Sequence, residues 1–354
     1  MDFKGQINNI RRTIMRALTR NIGSASANPD IAPGMEVKIE RVLISRPNSR
    51  LGNQILITPL VQEVVDAFPD CKVDLFVRGR LAPILFENYA NVDRIIRLPG
   101  KPFKELIVYL KVWISLRKYR YDLVINVDKS SSSGRLSTQF AKGRFKFFCD
   151  ADEDAPESKL RDDYKHIAKF PVYNLRVYLS KLGFKESDKP VPLLDIKLSA
   201  SEIANGKEVL DKMVDSRKKT ICIYTFATGS KCYTPSWWKP VYERLKTEYA
   251  ERYNILEVLP AENVSQIDFD AISYYSRDIR EIGSVIANAK VFIRADSGIM
   301  HLASAAKTPT VGLFSGANIA QYRPYGNHSL PIDTNTTDVN GLIEAIDTIL
   351  AAAN

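Results

Sequence analysis

The sequence predicts two successive doubly wound α/β halves, each a parallel sheet covered by helices. The length of 354 residues is too great for one compact core and suits two domains of ordinary size. From residue 40 onward, short apolar runs alternate with longer amphipathic ones, as strands alternating with helices do. An extended, proline-bearing stretch over residues 186–200 interrupts this alternation, which then restarts. The expected divisions are a basic tail and linker over 1–39, an N-terminal half over 40–190 and a C-terminal half over 200–354. Such halves would face each other across a cleft lined by strand carboxyl ends.

In the first half, Arg41–Ser45, Lys72–Val77, Arg94–Leu98 and Asp122–Val127 read as strands. Arg41–Ser45 and Asp122–Val127 read as buried, and strands alternating with helices imply parallel pairing. Helices are expected over Gln54–Phe68, interrupted by Pro59, and over Phe103–Lys118. In the second half the strands are Thr220–Phe226, Ile255–Leu259, Lys290–Arg294 and Thr310–Phe314. The helices are Ser201–Val214, Val241–Glu248, one opening at Gly298, and Val339–Ala352.

Composition narrows the function classes. Hydrophobic residues at 45% and charged residues at 26% describe a globular chain. The net charge of +9 suits nucleic acid, anionic lipid or a phosphorylated small molecule. No nucleic-acid module is recognisable, and no dense Lys/Arg run is interleaved with aromatics, so nucleic acid is not expected. Cys71, Cys149, Cys222 and Cys232 form no Cys-x-x-Cys pair, and the three histidines, His166, His301 and His328, are scattered; no zinc site is implied. Unpaired cysteines and an N-terminus without an unbroken apolar core lead to a cytoplasmic expectation. No run of eighteen apolar residues occurs, and the nearest approach, Leu106–Leu116, is broken by Lys111.

The tail has a pattern of its own. Phe3, Ile7, Ile10, Ile14 and Leu18 fall on one stripe of a helix, with Arg12, Arg16 and Arg20 on the far side. Residues 1–22 would then either lie on an anionic membrane, such as the inner face of the cytoplasmic membrane, or dock on the protein itself or a neighbouring subunit. Gly23 to Pro33 reads as a linker.

Two segments carry chemistry. The first runs from Arg46 through Asn48, Ser49, Gly52 and Asn53 to Leu60; it follows the first strand, where a glycine turn lets backbone approach a ligand. The second, Arg294-Ala295-Asp296-Ser297-Gly298-Ile299-Met300-His301, ends a strand and opens a helix of small residues. Free N–H groups in the first turn of that helix, and its positive end, suit a phosphate; the plainer alternative is that Asp296 or Ser297 is an ordinary N-cap. Asp152-Glu153-Asp154 and Asp268-Phe269-Asp270 fit the three-residue D-x-D pattern of metal–diphosphate sites, but neither follows a buried strand. Both read as solvated loop acids, and no metal is implied.

Taken together, in this order and spacing, the two segments resemble glycosyltransferase family 9, the bacterial ADP-heptose:lipopolysaccharide heptosyltransferases, in outline over residues 40–330. The resemblance implies the GT-B architecture and an inverting transfer of heptose or a similar sugar. The donor would be a nucleotide sugar, ADP-linked, consumed as a substrate with no further cofactor. The acceptor would be a saccharide or lipid-linked glycan of lipopolysaccharide type. Residue by residue, the donor side would be Thr228, Lys231, Glu262, Asp296, Ser297, Gly298 and His301. Thr228 and Lys231 fall in the loop Thr225–Lys231 that resembles the family's donor loop, and Glu262 would hold the ribose hydroxyls. Asn48, Ser49 and Gly52 would form the acceptor-side loop.

The family places its catalytic carboxylate after the glycine of the first segment, where this sequence has Asn53. An amide does not accept a proton at neutral pH. The best substitute base is Asp128, which ends the apolar run Asp122–Val127 at a strand's carboxyl end; alternatively it caps the turn Ser130–Ser133. Three functions follow: an inverting transferase, a catalytically silent nucleotide-sugar binder, and a nucleotide-sugar epimerase of the same architecture.

Overall fold

Val42, Leu43 and Ile44 are without solvent exposure, as strand residues must be when neighbours flank them and helices cover both faces. In the computed structural model of the chain the described residues are 19, 22, 37–100, 105–150, 161–316 and 318–352. Apart from Thr19 and Ile22, the tail stripe and its linker lie outside them, as do the start of the helix expected from Phe103 and the acids Asp152-Glu153-Asp154. The chain divides into two compact units. One comprises Met1–Ser49, Pro59–Pro83 and Tyr89–Pro192; the other comprises Arg50–Thr58, Ile84–Asn88 and Leu193–Asn354.

The sheet of the first unit contains β1 (Arg41–Arg46), β2 (Lys72–Arg78), β3 (Val92–Leu98), β4 (Arg120–Asn126) and β5 (Lys142–Phe147), in the order β3-β2-β1-β4-β5. Every pairing is parallel. The sequence direction of the order reverses between β1 and β4, so their carboxyl ends flank the position where α/β sheets bind ligands. Among the described residues up to Pro192, the helices are α1 (Leu51–Ile55), α2 (Thr58–Ala67), α3 (Ala82–Leu85), α4 (Leu106–Ser115), α5 (Ser132–Phe140) and α6 (Phe170–Lys181). The single interrupted helix expected over Gln54–Phe68 is two, α1 and α2. Pro59 has no N–H to donate and fits only a first turn, so a new helix starts at Thr58.

The second sheet contains β6 (Lys219–Tyr224), β7 (Tyr253–Val258), β8 (Ile272–Tyr274), β9 (Val291–Ala295), β10 (Thr310–Phe314) and β11 (Leu330–Asp333), again all parallel, in the order β11-β10-β9-β6-β7-β8. Its reversal lies between β6 and β9. The accompanying helices are α7 (Ala200–Met213), α8 (Pro235–Tyr249), α9 (Ile279–Ala287), α10 (Gly298–Ala305), α11 (Ile319–Tyr322) and α12 (Val339–Ala352). Trp238 and Leu245 of α8 and Ile346 and Ile349 of α12 pack on Ile223, Ile293 and Leu313 of the sheet. Ser199 and Glu202 cap α7 reciprocally, and Glu202 also grips Arg280 of α9.

Two buried ionic clusters lock the first unit. Asp74 of β2 is wholly buried and accepts from Arg41 Nη1 at 3.0 Å, Arg94 Nε at 3.0 Å and Tyr121 Oη at 2.9 Å. Glu63 of α2 accepts from Arg176 Nε at 2.7 Å and Nη2 at 2.6 Å, with both side chains nearly inaccessible. Removing one partner of such a pair strands the other charge away from water. Glu63→Leu should therefore lower stability by about 3–5 kcal/mol in urea unfolding, and the double change Glu63→Leu/Arg176→Met should recover most of that loss. A Glu63→Leu loss below about 1 kcal/mol would show that the pair contributes little.

Candidate functional site

After β6 the chain runs through Thr225, Phe226 and Ala227 to Thr228, which precedes a single 3-10 turn, Gly229–Lys231. Gly229 sits at φ +67°, a left-handed conformation that costs glycine nothing and lets the loop fold back. The turn returns Lys231 to the end of β9, where its ammonium pairs with the Asp296 carboxylate. Asp296 is nearly buried while Lys231 is half-exposed, so the cation is anchored at one side and open to solvent at the other. The same Nζ lies 5.6 Å from the Tyr322 ring centre. The loop's root is tied down by Thr225, whose hydroxyl donates to Glu257 at 2.5 Å and accepts from the Gln266 N–H at 3.0 Å. Burial pushes the Glu257 carboxyl up, and the bonds from Thr225 and Ser265 only partly offset this.

At the end of β9 the Asp296 N–H donates to Leu313 O at 3.0 Å. Ser297 occupies the N-cap position of α10 in an extended conformation, but its hydroxyl makes no capping bond and is buried without a protein partner. Arg294, in β9, is fully buried. Its Nη2 donates to Phe226 O at 2.9 Å, its guanidinium lies 4.4 Å from the Tyr224 ring centre, and burial lowers its pKa to about 10. His301, one turn into α10, has a buried Nδ1 without a partner. Its burial, then the charges of Lys231 and Arg294, push its pKa down to about 3, so the imidazole is neutral at physiological pH. Ser297 Oγ, His301 Nδ1 and Arg294 Nε are thus three buried polar atoms without a hydrogen-bond partner near one strand-to-helix junction. A half-exposed cation, a buried one, a hydroxyl and a helix start are the kinds of group that suit the diphosphate expected here.

The two motif segments meet in the second unit. A Cβ on Gly52 would lie 2.9 Å from His301 Cδ2 and 3.2 Å from Gly298 Cα; one on Gly298 would lie 3.0 Å from Gly52 N. Glycine at both positions lets the starts of α1 and α10 touch. Asn53, half-buried, follows in α1, whereas Asn48 and exposed Ser49 belong to the first unit. The Asn48 N–H donates to Arg46 O at 2.6 Å. Glu262 lies in an exposed turn after β7 and acts electrostatically on Tyr224. Asp268 and Asp270 are exposed.

Asp128 stands at the reversal point of the first sheet, just past β4. Its Oδ2 lies 2.5 Å from Arg46 Nη1 at the end of β1, and its Oδ1 accepts from the Ser130 N–H at 2.9 Å and hydroxyl at 2.7 Å. The bond from the Ser130 N–H makes Asp128 the turn cap. The helix cap itself is Ser131, which accepts from the Gly134 N–H. Burial raises the Asp128 pKa, but the Arg46 charge and the Ser130 bonds outweigh it and leave the carboxyl below its ordinary value.

The family model described as Glycosyltransferase family 9 (heptosyltransferase) matches residues 276–338. Lipopolysaccharide heptosyltransferase 3 of Escherichia coli is 21% identical over 297 residues, covering 79% of this chain and 85% of that protein. Among solved structures, a family 9 glycosyltransferase from Veillonella parvula aligns with a TM-score of 0.68 at 17% identity, covering 90% of this chain and 99% of that one. The E. coli heptosyltransferase WaaC with ADP aligns at 0.64 and 16% identity, covering 87% and 99%. In sequence and in fold, the chain is thus similar to proteins of glycosyltransferase family 9.

Its fold is the two-domain, Rossmann-like GT-B fold. The stretch that the family model matches holds Asp296, Ser297, Gly298 and His301; Thr228, Lys231, Glu262, Asn53 and Asp128 lie outside it. Sequence reasoning included Arg294 in the second segment without giving it a role, and passed over Tyr224 and Glu257, which the structure brings beside the candidate site. An arginine and a glutamate inside otherwise apolar strands, VFIR and ILEV, were the available hints.

Two predictions follow from this packing. Gly52→Ala and Gly298→Ala should each destabilise the protein by about 1–3 kcal/mol, because close-packed backbone and a buried imidazole must move; unchanged thermal midpoints would refute the contact. Because the folded pKa of His301 is depressed below the unfolded value, its contribution is fully present above about pH 6.5 and declines as pH falls toward about 3. Between pH 7.5 and 5.5 the wild type should therefore lose more stability than His301→Gln, with a limiting slope of about 1.4 kcal/mol per pH unit. Equal losses would mean that His301 titrates normally.

Proposed function

We propose that this glycosyltransferase moves a heptose or similar sugar, with inversion, from an ADP-linked donor to a lipopolysaccharide-type acceptor. The observation that carries the reading is the Lys231–Asp296 pair beside the Ser297-Gly298 start of α10. Asp296 fixes the ammonium, and Lys231 neutralises charge that develops on the departing nucleoside diphosphate. Ser297 and the first N–H groups of α10 hydrogen-bond its oxygens, and neutral His301 accepts or donates without adding charge. Thr228 and Glu262 complete the donor side, with Glu262 on the ribose hydroxyls. The name of the curated E. coli relative supports the acceptor class, and the ADP in the WaaC structure supports the nucleotide.

The acceptor hydroxyl must lose a proton as the new bond forms. In this reading Asp128 receives it, while Asn53, with Asn48, Ser49 and Gly52, orients the acceptor by hydrogen bonds. Asp128 is ionised at neutral pH, and Arg46 keeps it a weak base. A second reading, a silent nucleotide-sugar binder, is favoured by one observation: Asn53 stands where the family has its acid.

ADP at ten to a hundred times its dissociation constant should stabilise the fold by about 1.4–2.7 kcal/mol, with UDP and GDP weaker. Lys231→Ala and Asp296→Ala should each weaken ADP at least several-fold by calorimetry; normal binding by both would overturn the donor site. General-base assistance contributes about 10²–10⁴-fold, so Asp128→Asn should lower turnover of an ADP-sugar on that scale while leaving ADP binding intact. Full turnover in Asp128→Asn would eliminate it as base. Turnover that appears only in Asn53→Asp would identify the natural chain as a silent binder.

A further inference from the structure

Helix α4, LIVYLKVWIS, is apolar around nearly its whole circumference, yet none of its residues is fully buried. Its inward side is already satisfied. Tyr109, Val112 and Trp113, with Leu116 just beyond the helix, pack on Leu43, Phe76, Leu98 and Val124. The Trp113 ring meets Phe76 edge-on at 5.6 Å and Phe140 at 6.2 Å. The opposite side presents Leu106, 55% exposed, Ile107, 71%, Leu110, 53%, and Ile114, 67%. Steps of three and four residues put these on one stripe. A contiguous exposed stripe of leucine and isoleucine that the fold does not use marks an interaction surface.

Charge selects the partner. Lys111, Arg117 and Lys118 are exposed around the stripe. From residue 101 to 120 the chain has Lys101, Lys104, Lys111, Arg117, Lys118 and Arg120 against the single acid Glu105. A second copy offering the same face would oppose like charges. The tail stripe of Phe3, Ile7, Ile10, Ile14 and Leu18 meets the same objection, since it carries an excess of arginine. An anionic bilayer matches both features, accepting apolar side chains at its acyl boundary and cations at its phosphates.

We propose that the outward face of α4 docks on an anionic lipid surface. Leu106, Ile107, Leu110 and Ile114 enter the headgroup–acyl boundary, and Lys111, Arg117 and Lys118 engage lipid phosphates. The proposal stands independently of the donor and acceptor assignments.

The test is cosedimentation of the full chain with vesicles of phosphatidylcholine alone and of equimolar phosphatidylcholine and phosphatidylglycerol. Wild type should bind the anionic vesicles, release with added salt, and ignore the zwitterionic ones. Ile107→Ser/Leu110→Ser/Ile114→Ser and, separately, Lys111→Glu/Arg117→Glu/Lys118→Glu should each reduce binding at least about tenfold. Because these side chains are exposed, unchanged unfolding midpoints and unchanged stabilisation by ADP serve as the folding control. Wild-type binding by either triple variant overturns the proposal, as does equal binding to both vesicle types. Loss of binding in Ile7→Ser/Ile10→Ser/Ile14→Ser alone would move the surface to the tail. A wild-type dimer that the α4 serine variant dissolves, without any vesicle binding, would identify a second copy as the occupant.

Discussion

A parallel strand covered by helices on both faces has no solvated face on which to carry chemistry, and this constraint organises both units. Each sheet is built outward from an apolar centre: β1 with β2 and β4, and β6 with β7 and β9. Polar groups that do work are displaced to carboxyl ends, above all to the pair of strands where the order reverses. There the two units carry analogous devices. At β1 and β4 an arginine meets an aspartate, Arg46 and Asp128; at β6 and β9 a lysine meets one, Lys231 and Asp296. The difference lies in which partner is open. Arg46 is the more buried member of its pair, whereas Lys231 is the exposed member of its own. One end therefore offers a carboxylate and the other an ammonium.

Around Lys231 the local charge is positive but economical. Arg294 is fully buried, and its depressed pKa of about 10 still leaves it cationic at neutral pH. Asp296 balances one of the two cations, and His301, pressed by both, stays neutral. Adding a proton to His301 would place a third cation among buried groups, which desolvation opposes. An incoming anion would answer the remaining imbalance where a neutral hydroxyl would not, and under the proposed function that anion is the donor's diphosphate.

The legible part of the fold was its centre. Strands buried on both faces announce themselves as continuous apolar runs, and β1, β2, β4, β6, β7, β9 and β10 were recognisable this way; of the edge strands only β3 was, through its RIIRL run. The three strands that escaped, β5, β8 and β11, are all sheet edges. Edges need one paired side only, so they tolerate the lysines and arginine of KGRFKF, a three-residue length, or the proline of LPID. The site shows the same asymmetry. Motif spacing pointed to Asp296, Ser297, Gly298 and His301 because glycine and small residues are demanded there by close approach. Glu257 was hidden, and Arg294 was left without a role, because a single charged residue in an apolar strand has no periodic signature. That Gly52 exists to clear His301 is a long-range fact no local pattern contains.

One residue has opposite meanings at the two levels. In the sequence, Lys111 interrupts the longest apolar run and argues against a membrane span; among the described residues no helix is long and apolar enough to cross one. In the structure the same lysine borders the stripe formed by Leu106, Ile107, Leu110 and Ile114, whose apolarity the underlying core does not need. A helix that only had to cover β-strands would be apolar on one side, as the requirement for burial dictates. The second apolar side is a cost in solubility unless something covers it, and the encircling Lys and Arg residues restrict what that can be. Hydropathy along the chain cannot separate a failed membrane span from an interfacial helix, since both show a charge inside an apolar run. What separates them is which side of the helix the fold has already used, and only the packing of Tyr109, Val112 and Trp113 reveals that.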